Sequence, residues 1–413
     1  MSEERRRKKP IEITLIDILL SGSGSPLIEI QESSGLIIIQ SGQRSHSPCV
    51  TYDLGTAHYN FNATKYIPEG ILDSVRDEIG VGVQTGETED VGEIRKVFSD
   101  MRKRETEWNG SEEDVFVLPI PTRQSIDLLF RAFAGRSGQI AMPLPNWHFW
   151  NLDGFANQEY DFAYFEASTE QELVDNFRKI APKKKIKALV LVDPVNPLLY
   201  RISEAAAREI DTIALKYGVE IIIDDVMRGN QPLGQRESLS RWFTMPYVVE
   251  GLSKRFGDKP CGYLSYILVP EGNRKVKQSV PRVSPPPFGL ARTVENIFIY
   301  GEQPALKELE RRNDVLDSEL GQACPEMRIR RPSPSHMISV LELPRAIHAG
   351  ELTVFLYDQH PHVLTGSFEN YDPEQRVRTS HRHLLRVSTG NMDLDGIRQG
   401  TKLLAERIRD YQP

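Results

Sequence analysis

The sequence predicts an α/β fold in which a large domain with a mainly parallel sheet precedes a smaller α+β domain. In the middle of the chain, short apolar runs alternate with amphipathic helical patterns, as in parallel sheets that helices sandwich on both faces. From about residue 300 the pattern changes to a helix, several strands and a final helix at 393–412. The 413 residues are enough for two such domains.

The predicted sheet rests on six apolar runs of strand length. They are VFVL (115–118), QIAM (139–142), ALVLV (188–192), VEIII (219–223), YVV (247–249) and YLSYILV (263–269). The clearest helices are QSIDLLFRAFAG (124–135) and SEAAAREIDTIALKYG (203–218). In the second helix we expect Ser203 to be the N-cap and Gly218 the C-cap.

The chain divides into three predicted parts. PLIEIQESSGLIIIQSG at 26–42 alternates apolar and polar residues around SSG, which predicts a hairpin. We assign residues 1–70 to an N-terminal arm that contains this hairpin, residues 71–300 to the large α/β domain, and residues 301–413 to the small C-terminal α+β domain.

Composition and charge narrow the class of protein. The hydrophobic and charged fractions, 39% and 26%, are ordinary for a soluble globular protein. A net charge of −7 gives no broad attraction to nucleic acid or to an acidic membrane. We interpret RRRKK at 5–9 as a solvated tail. This charge therefore predicts that the protein binds neither nucleic acid nor a membrane.

Compartment and metal content follow from two further features. The apolar stretch ITLIDILL at 13–20 is too short for a membrane helix and does not form a secretory signal. The three cysteines are an odd number without a CxxC pair, which favours a reducing compartment and argues against a thiolate zinc site. We expect a cytoplasmic protein without a metal.

Polar and aromatic residues follow the predicted strands at the edge where parallel sheets bind ligands. Thr122 lies where a strand gives way to a helix, so its hydroxyl and the helix N-terminus could hold a phosphate, although threonine is also a common N-cap. Trp147 follows the next strand. Its ring could stack on a flat ligand, or it could pack on its own domain.

Three more strand ends carry chemistry-bearing residues. Asn196 precedes a proline, which could aim its amide at the sheet or form a plain Asn-Pro turn. Asp224 follows three isoleucines, and a buried carboxylate there needs a partner: a protonated ring nitrogen, a helix N-terminus or Arg228. Lys254 in EGLSKRFG is either an ordinary charge or a reactive amine.

These motifs together resemble the class I/II aminotransferase family, the fold-type I enzymes that use pyridoxal 5′-phosphate (PLP). DPVNP resembles the Asn-Pro turn of the family, IIIDD its aspartate strand, LSKRFG its lysine motif and HLLRVSTGN its C-terminal arginine strand. The four residues occur in the family's order, with 28 residues from Asn196 to Asp224, 30 on to Lys254 and 132 on to Arg386. The resemblance runs from about residue 50 to the C-terminus.

The resemblance implies a role for each residue. Lys254 would form a Schiff base with PLP and then transfer protons at the substrate Cα, by way of a carbanion or quinonoid intermediate. Asp224 would pair with the pyridine nitrogen, Asn196 would bind the phenolic oxygen, and Trp147 would stack on the ring. Arg386 would bind the α-carboxylate of an amino-acid substrate.

The resemblance also implies the remaining contacts. Thr122, Arg123 and Ser253 would hold the cofactor phosphate. The N-terminal arm would pack on the small domain and the active site, and would bring Tyr59 and Asn60 to the substrate. The family forms homodimers whose active sites lie at the subunit interface, so a homodimer is expected.

Several positions depart from the family pattern. Met227 replaces a tyrosine that binds the cofactor ring, Gly251 replaces a serine, and Pro121 replaces a glycine of the phosphate loop. GDKPCGYLSY lacks the arginine that binds the phosphate. Arg123 or Arg255 would then have to supply the missing charge.

Three hypotheses remain open at this point. The first is an aminotransferase that acts on an L-α-amino acid. The second is a PLP-dependent lyase, cyclase or oxidase of specialised metabolism, which Met227 and the altered phosphate motif motivate. The third is a catalytically inactive aminotransferase-like domain.

Overall fold

The computed structural model describes residues 51–54, 62–75, 77, 91–135, 137–146, 160–232, 234–257, 264–271, 289–359, 361–368 and 381–411. The predicted hairpin at 26–42 lies outside the described residues, as do Tyr59, Asn60 and Trp147.

A seven-stranded sheet forms the centre of the large lobe. Its strands are β2 (Val115–Leu118), β3 (Gln139–Leu144), β4 (Asp161–Glu166), β5 (Ile186–Val192), β6 (Glu220–Asp224), β7 (Pro246–Gly251) and β8 (Ser265–Leu268), in the order β2-β8-β7-β6-β5-β3-β4. Of these, β8 runs antiparallel to both of its neighbours, and the pairs from β7 to β4 are parallel. The predicted mainly parallel sheet is confirmed. The edge strand β4 was not predicted, although its residues DFAYFE contain the short apolar run FAYF and are mostly only partly buried.

Helices connect and cover these strands. They are α1 (Val91–Glu105), α2 (Thr122–Ala134), α3 (Glu170–Ile180), α4 (Glu204–Tyr217), α5 (Ser253–Phe256), α6 (Leu290–Asn296), α7 (Glu302–Ala323), α8 (Ala349–Asp358) and α9 (Leu394–Asp410). The caps of α4 are as predicted: the Ser203 side chain accepts from the Ala206 N–H, and Gly218 has a φ of 65°. None of the described helices is long and apolar enough to cross a membrane.

The two faces of the sheet bury two separate cores, because successive strand residues point to opposite sides. On β5, Ala188 and Val190 belong to the core beneath α2, whereas Leu189 and Leu191 belong to the core on the other face. Each such side chain contributes roughly 1.5–3 kcal/mol when it is fully buried. This double burial explains why the strands are continuous apolar runs.

The C-terminal lobe contains a four-stranded antiparallel sheet. Its strands are β9 (Arg328–Arg330), β10 (Ile338–Glu342), β12 (Gly366–Ser367) and β13 (Leu384–Ser388), in the order β12-β13-β10-β9. The N-terminal strand β1 (Thr51–Asp53) pairs in parallel with β11 (His362–Leu364) of the same lobe. The pattern of helix, strands and final helix is therefore as predicted, while the exact domain boundaries remain predictions.

Candidate active site

The carboxyl ends of β5, β6 and β7 bring the central candidate residues together. Val192 at the end of β5 is opposite Asp224 at the end of β6, and Asp224 is opposite Val249 of β7. Asn196 follows β5, and Lys254 lies on α5 directly after β7. Adjacent parallel strands therefore place Asn196, Asp224 and Lys254 at the carboxyl ends of the central strands.

Asp224 is a buried carboxylate whose surroundings disfavour its negative charge. Only 4% of the residue is exposed, and its Oδ1 accepts from the Val226 N–H at 3.1 Å. The pKa of Asp224 is raised to about 7, chiefly by burial and also by the negative charges of Asp225 and Glu250, while the Val226 N–H and the charge of Lys254 oppose the shift. A protonated ring nitrogen is the kind of cation that would stabilise this carboxylate.

The predicted alternative partner of Asp224, Arg228, forms its ion pairs elsewhere. Arg228 Nε lies 3.2 Å from Asp225 Oδ2, and its other nitrogens contact Glu105 and Glu250 at 2.6 Å. The two adjacent aspartates thus have different environments: Asp225 is paired with arginine, whereas Asp224 faces the candidate site.

Asn196 offers unused hydrogen-bonding capacity at the same edge. The residue is 7% exposed, and its buried Oδ1 has no hydrogen-bond partner within the described part of the chain. An unsatisfied buried amide atom is costly unless a ligand contacts it. Asn196 therefore fits a polar group of a cofactor.

The hydroxyl of Thr122 takes the space that a side chain at position 251 would need. A Cβ built on Gly251 would lie 2.0 Å from Thr122 Oγ1. Thr122 is the first residue of α2, whose N-terminal N–H groups can bind an anion. The glycine is therefore a consequence of the neighbouring threonine, whose hydroxyl lies beside the end of β7.

Arg123 and Ser253, the other two predicted phosphate ligands, are both half-buried. Arg123 follows Thr122 on the first turn of α2, and Ser253 begins α5. Thr122, Arg123 and Ser253 thus lie at the starts of two helices of the large lobe.

Four buried arginines and four buried carboxylates lie behind the site, and we call them the ionic cluster. Its members are Arg102, Glu105, Asp225, Arg228, Arg236, Glu250, Arg255 and Glu302. Arg102 contacts Asp225 at 2.7 Å and Glu250 at 3.2 Å, and Arg236 contacts Glu105 at 3.0 Å. The charges balance, as burial of so many ions requires.

Arg255 belongs to the ionic cluster, which contradicts its suggested role as a phosphate ligand. Its side chain is 1% exposed and contacts Glu105 and Glu302, and Nη1 lies 3.8 Å from Glu250. Burial alone would raise the pKa of Glu105, but Arg255 and Arg228 hold it well below its usual value. The positive charge of Arg255 is therefore committed to carboxylates of the protein.

Arg386 lies in the other sheet, on the central strand β13. It is 1% exposed, and it is opposite Val340 of β10 and Gly366 of β12. The nearby His336 is fully buried, which lowers its pKa to about 4, and the charges of Arg331, Arg386 and Arg201 add to this shift. The neutral imidazole adds no further charge beside Arg386.

The sequence reasoning missed Asn230 and the ionic cluster. The Asn230 amide Nδ2 donates to the Lys254 carbonyl oxygen, and the Ser335 hydroxyl donates to the Asn230 carbonyl at 2.6 Å. Glu250 directly after the apolar run YVV was one available signal, because a carboxylate on a buried strand requires cations nearby.

No family model and no curated protein matches the sequence. Solved structures of aminotransferases do match the fold. The aspartate aminotransferase of Thermus thermophilus with maleate has a TM-score of 0.67 at 16% identity, over 87% of this chain and 92% of that chain.

Two further solved structures match the same fold. An archaeal alanine:glyoxylate aminotransferase has a TM-score of 0.68 at 15% identity, over 89% of this chain and 92% of that chain. A PLP-bound protein from Clostridium difficile 630, described as an aminotransferase, has a TM-score of 0.66 at 15% identity, over 86% and 91% of the two chains. The chain thus has the fold-type I architecture of PLP-dependent aminotransferases.

Proposed function

We propose that this protein is a PLP-dependent enzyme that acts at the Cα of an L-α-amino acid, as an aminotransferase. The observation that carries the proposal is the buried Asp224 carboxylate close to Lys254, at the carboxyl edge of a sheet with the aminotransferase fold. A buried carboxylate with a raised pKa in a cleft is typical of a functional site.

The residues of the chain would divide the work as follows. PLP, when bound, supplies an electron sink for the negative charge that develops at Cα. Lys254 would hold the cofactor covalently and later move the Cα proton. Asp224 would keep a proton on the pyridine nitrogen, and Asn196 would hydrogen-bond the ring oxygen.

Anion binding would be shared between the two lobes. Thr122, Arg123 and Ser253 would bind the phosphate at the start of α2 and α5. Arg386 would bind the substrate α-carboxylate through its planar guanidinium. Arg386 lies on β13 of the small sheet, whereas Thr122, Arg123 and Ser253 lie on helices that follow strands of the large sheet.

A lyase, cyclase or oxidase is the second candidate function. Met227 is 3% exposed and offers no hydroxyl to the cofactor ring, and Arg255 is held by the ionic cluster instead of the phosphate. A different hydrogen-bond pattern around the ring changes which product the same chemistry gives. The presence of Asp224, Lys254 and Arg386 together favours this alternative over a domain without activity.

We also propose that the protein forms a homodimer. The turn Ala63–Tyr66 packs closely on residues 297–301, since a Cβ on Gly301 would lie 2.7 Å from the Ala63 Cβ. Each of these two segments exposes a large hydrophobic side chain, Tyr66 at 47% and Ile299 at 58%. We expect sedimentation to show a dimer that weakens when both are changed to serine.

The first test is the visible absorption spectrum of the protein with added PLP, in the wild type and in Lys254→Ala. We expect a lysine-dependent band that amino acids bleach, with release of a 2-oxo acid and stoichiometric amino transfer to an acceptor. Release of ammonia or of a ring-closed product would favour the second candidate. Absence of any lysine-dependent band would refute both.

A further inference from the structure

Asn230 contacts the backbone of the candidate catalytic lysine. It follows β6, is 0% exposed, and donates from Nδ2 to the carbonyl oxygen of Lys254. Its other amide atom, Oδ1, has no hydrogen-bond partner within the described residues. The bond to Lys254 therefore accounts for the orientation of this amide.

The backbone of Asn230 is held in turn by the C-terminal lobe. Its carbonyl oxygen accepts from the buried Ser335 hydroxyl at 2.6 Å. Asn313 on α7 fixes the loop that carries Ser335, because its Nδ2 donates to the carbonyls of Pro334 and His336 at 2.6 and 2.9 Å. Buried bonds of this kind hold each group in one position.

The same asparagine on α7 connects the loop to the arginine strand. The Thr389 hydroxyl donates to Asn313 Oδ1 at 2.7 Å, and Thr389 directly follows β13, which carries Arg386. A continuous series of buried hydrogen bonds thus runs from the end of β13 through Ser335 and Asn230 to Lys254.

We propose that Asn230 is a positioning residue for Lys254, and that Ser335 holds Asn230 in place from the C-terminal lobe. This inference rests on the proposed function, in which the Lys254 amine condenses with the PLP aldehyde. In that step the C=N bond forms, the C=O bond breaks, and the oxygen leaves as water. With the backbone of Lys254 fixed, only its side chain has to be ordered to reach the aldehyde.

The test compares two forms of the cofactor. PLP can bond to Lys254, whereas pyridoxamine 5′-phosphate has an amine in place of the aldehyde and cannot. For Asn230→Ala we expect about fivefold to tenfold weaker binding of PLP, the usual effect of one buried hydrogen bond, and unchanged binding of pyridoxamine 5′-phosphate. In a Lys254→Ala background, Asn230→Ala should change neither affinity.

Further variants exclude a general structural effect. Ser335→Ala should weaken PLP binding selectively but less, and should add little to Asn230→Ala, because both act on Lys254 through the same bond. If Asn230→Ala does not fold, Ser335→Ala alone carries the test. The control is Asn176→Ala, which removes a 2.9 Å bond from Nδ2 to the Glu166 carbonyl beside the edge strand β4 and should change neither affinity.

Equal losses for both forms of the cofactor would overturn the inference, as would unchanged binding of PLP in Asn230→Ala and Ser335→Ala. A wild type without a lysine-dependent PLP band would refute the proposed function, and this inference with it. A wild-type band with non-selective effects of the variants would refute the inference alone.

Discussion

The segments that follow β6 and β7 have two sides, and the polar groups on these two sides differ in whether they have partners within the protein. On the side of the candidate site, Asp224 has a raised pKa, and the buried oxygen of Asn196 has no partner in the described residues. On the opposite side, Asp225 and Arg255, the sequence neighbours of Asp224 and Lys254, are paired within the ionic cluster. The comparison teaches that adjacent residues serve separate purposes: one set is left ready for a ligand, and the other holds the backbone.

The largest expected effect comes from removing one charge of the ionic cluster. Arg255→Met keeps most of the side-chain volume but removes one of the two guanidinium groups, those of Arg255 and Arg236, that contact both Glu105 and Glu302. Breaking a buried ion pair in this way costs about 3–5 kcal/mol of the free energy of unfolding. Urea denaturation of the wild type and the variant measures the difference.

A surface ion pair provides the matched control for this experiment. Arg178 pairs with Glu209, and both side chains are 48% exposed. Arg178→Met should therefore change the stability far less than Arg255→Met does. Similar effects of the two substitutions would contradict the structural role that we assign to the ionic cluster.

The next prediction concerns the two adjacent aspartates, Asp224 and Asp225. Changing each to asparagine should shift the free energy of unfolding in opposite directions. Because the pKa of Asp224 rises from 3.8 to about 7 on folding, its ionisation costs stability increasingly from about pH 4 to pH 7, and the full cost persists above that. For the protein without cofactor, Asp224→Asn should therefore stabilise at pH 8, on the order of 4 kcal/mol, and have little effect at pH 4.

Asp225→Asn is the comparison that sharpens this prediction. Asp225 Oδ2 lies 2.7 Å from Arg102 and 3.2 Å from Arg228, so its loss removes one negative charge that both buried arginines share and leaves the ionic cluster with excess positive charge. We expect destabilisation at pH 8, in contrast to the adjacent variant. Thermal unfolding of both variants across pH measures the signs, and equal signs would mean that the two carboxylates do not differ as described.

Much of the fold was predictable, because its signals are local. Continuous apolar runs and helix caps, such as Ser203, depend on residues within a few positions of one another. Asp224 was found because it directly follows such a run, and Lys254 because it lies in the segment EGLSKRFG just after another. In contrast, Arg255 and Glu105 are 150 residues apart, so no local pattern reveals their contact.

The expectation for Arg255 failed for the same reason. In the sequence it is simply a cation next to a lysine, and its direction is decided by carboxylates on α1 and α7. Gly251 was likewise interpreted as a missing serine. The threonine that fills its space, Thr122, begins a helix 129 residues earlier in the chain (251 − 122 = 129), so no local pattern reveals the contact. Long-range packing decides both positions.

The smallest expected effect concerns the packing of the Thr122 hydroxyl against Gly251. Gly251→Ser would place its Cβ 2.0 Å from Thr122 Oγ1, so the substitution should cost about 1–3 kcal/mol through overpacking. Adding Thr122→Ala should restore most of this stability, because the Thr122 Cβ lies at an ordinary distance of 3.4 Å. Adding Thr122→Ser instead should not, since it keeps the clashing hydroxyl.

Denaturation of the single and double variants measures the rescue. If the serine at 251 also restores PLP affinity that Thr122→Ala alone loses, one hydroxyl at this place suffices for the cofactor. Equal rescue by alanine and serine at position 122 would show that the hydroxyl does not occupy the space of the missing side chain.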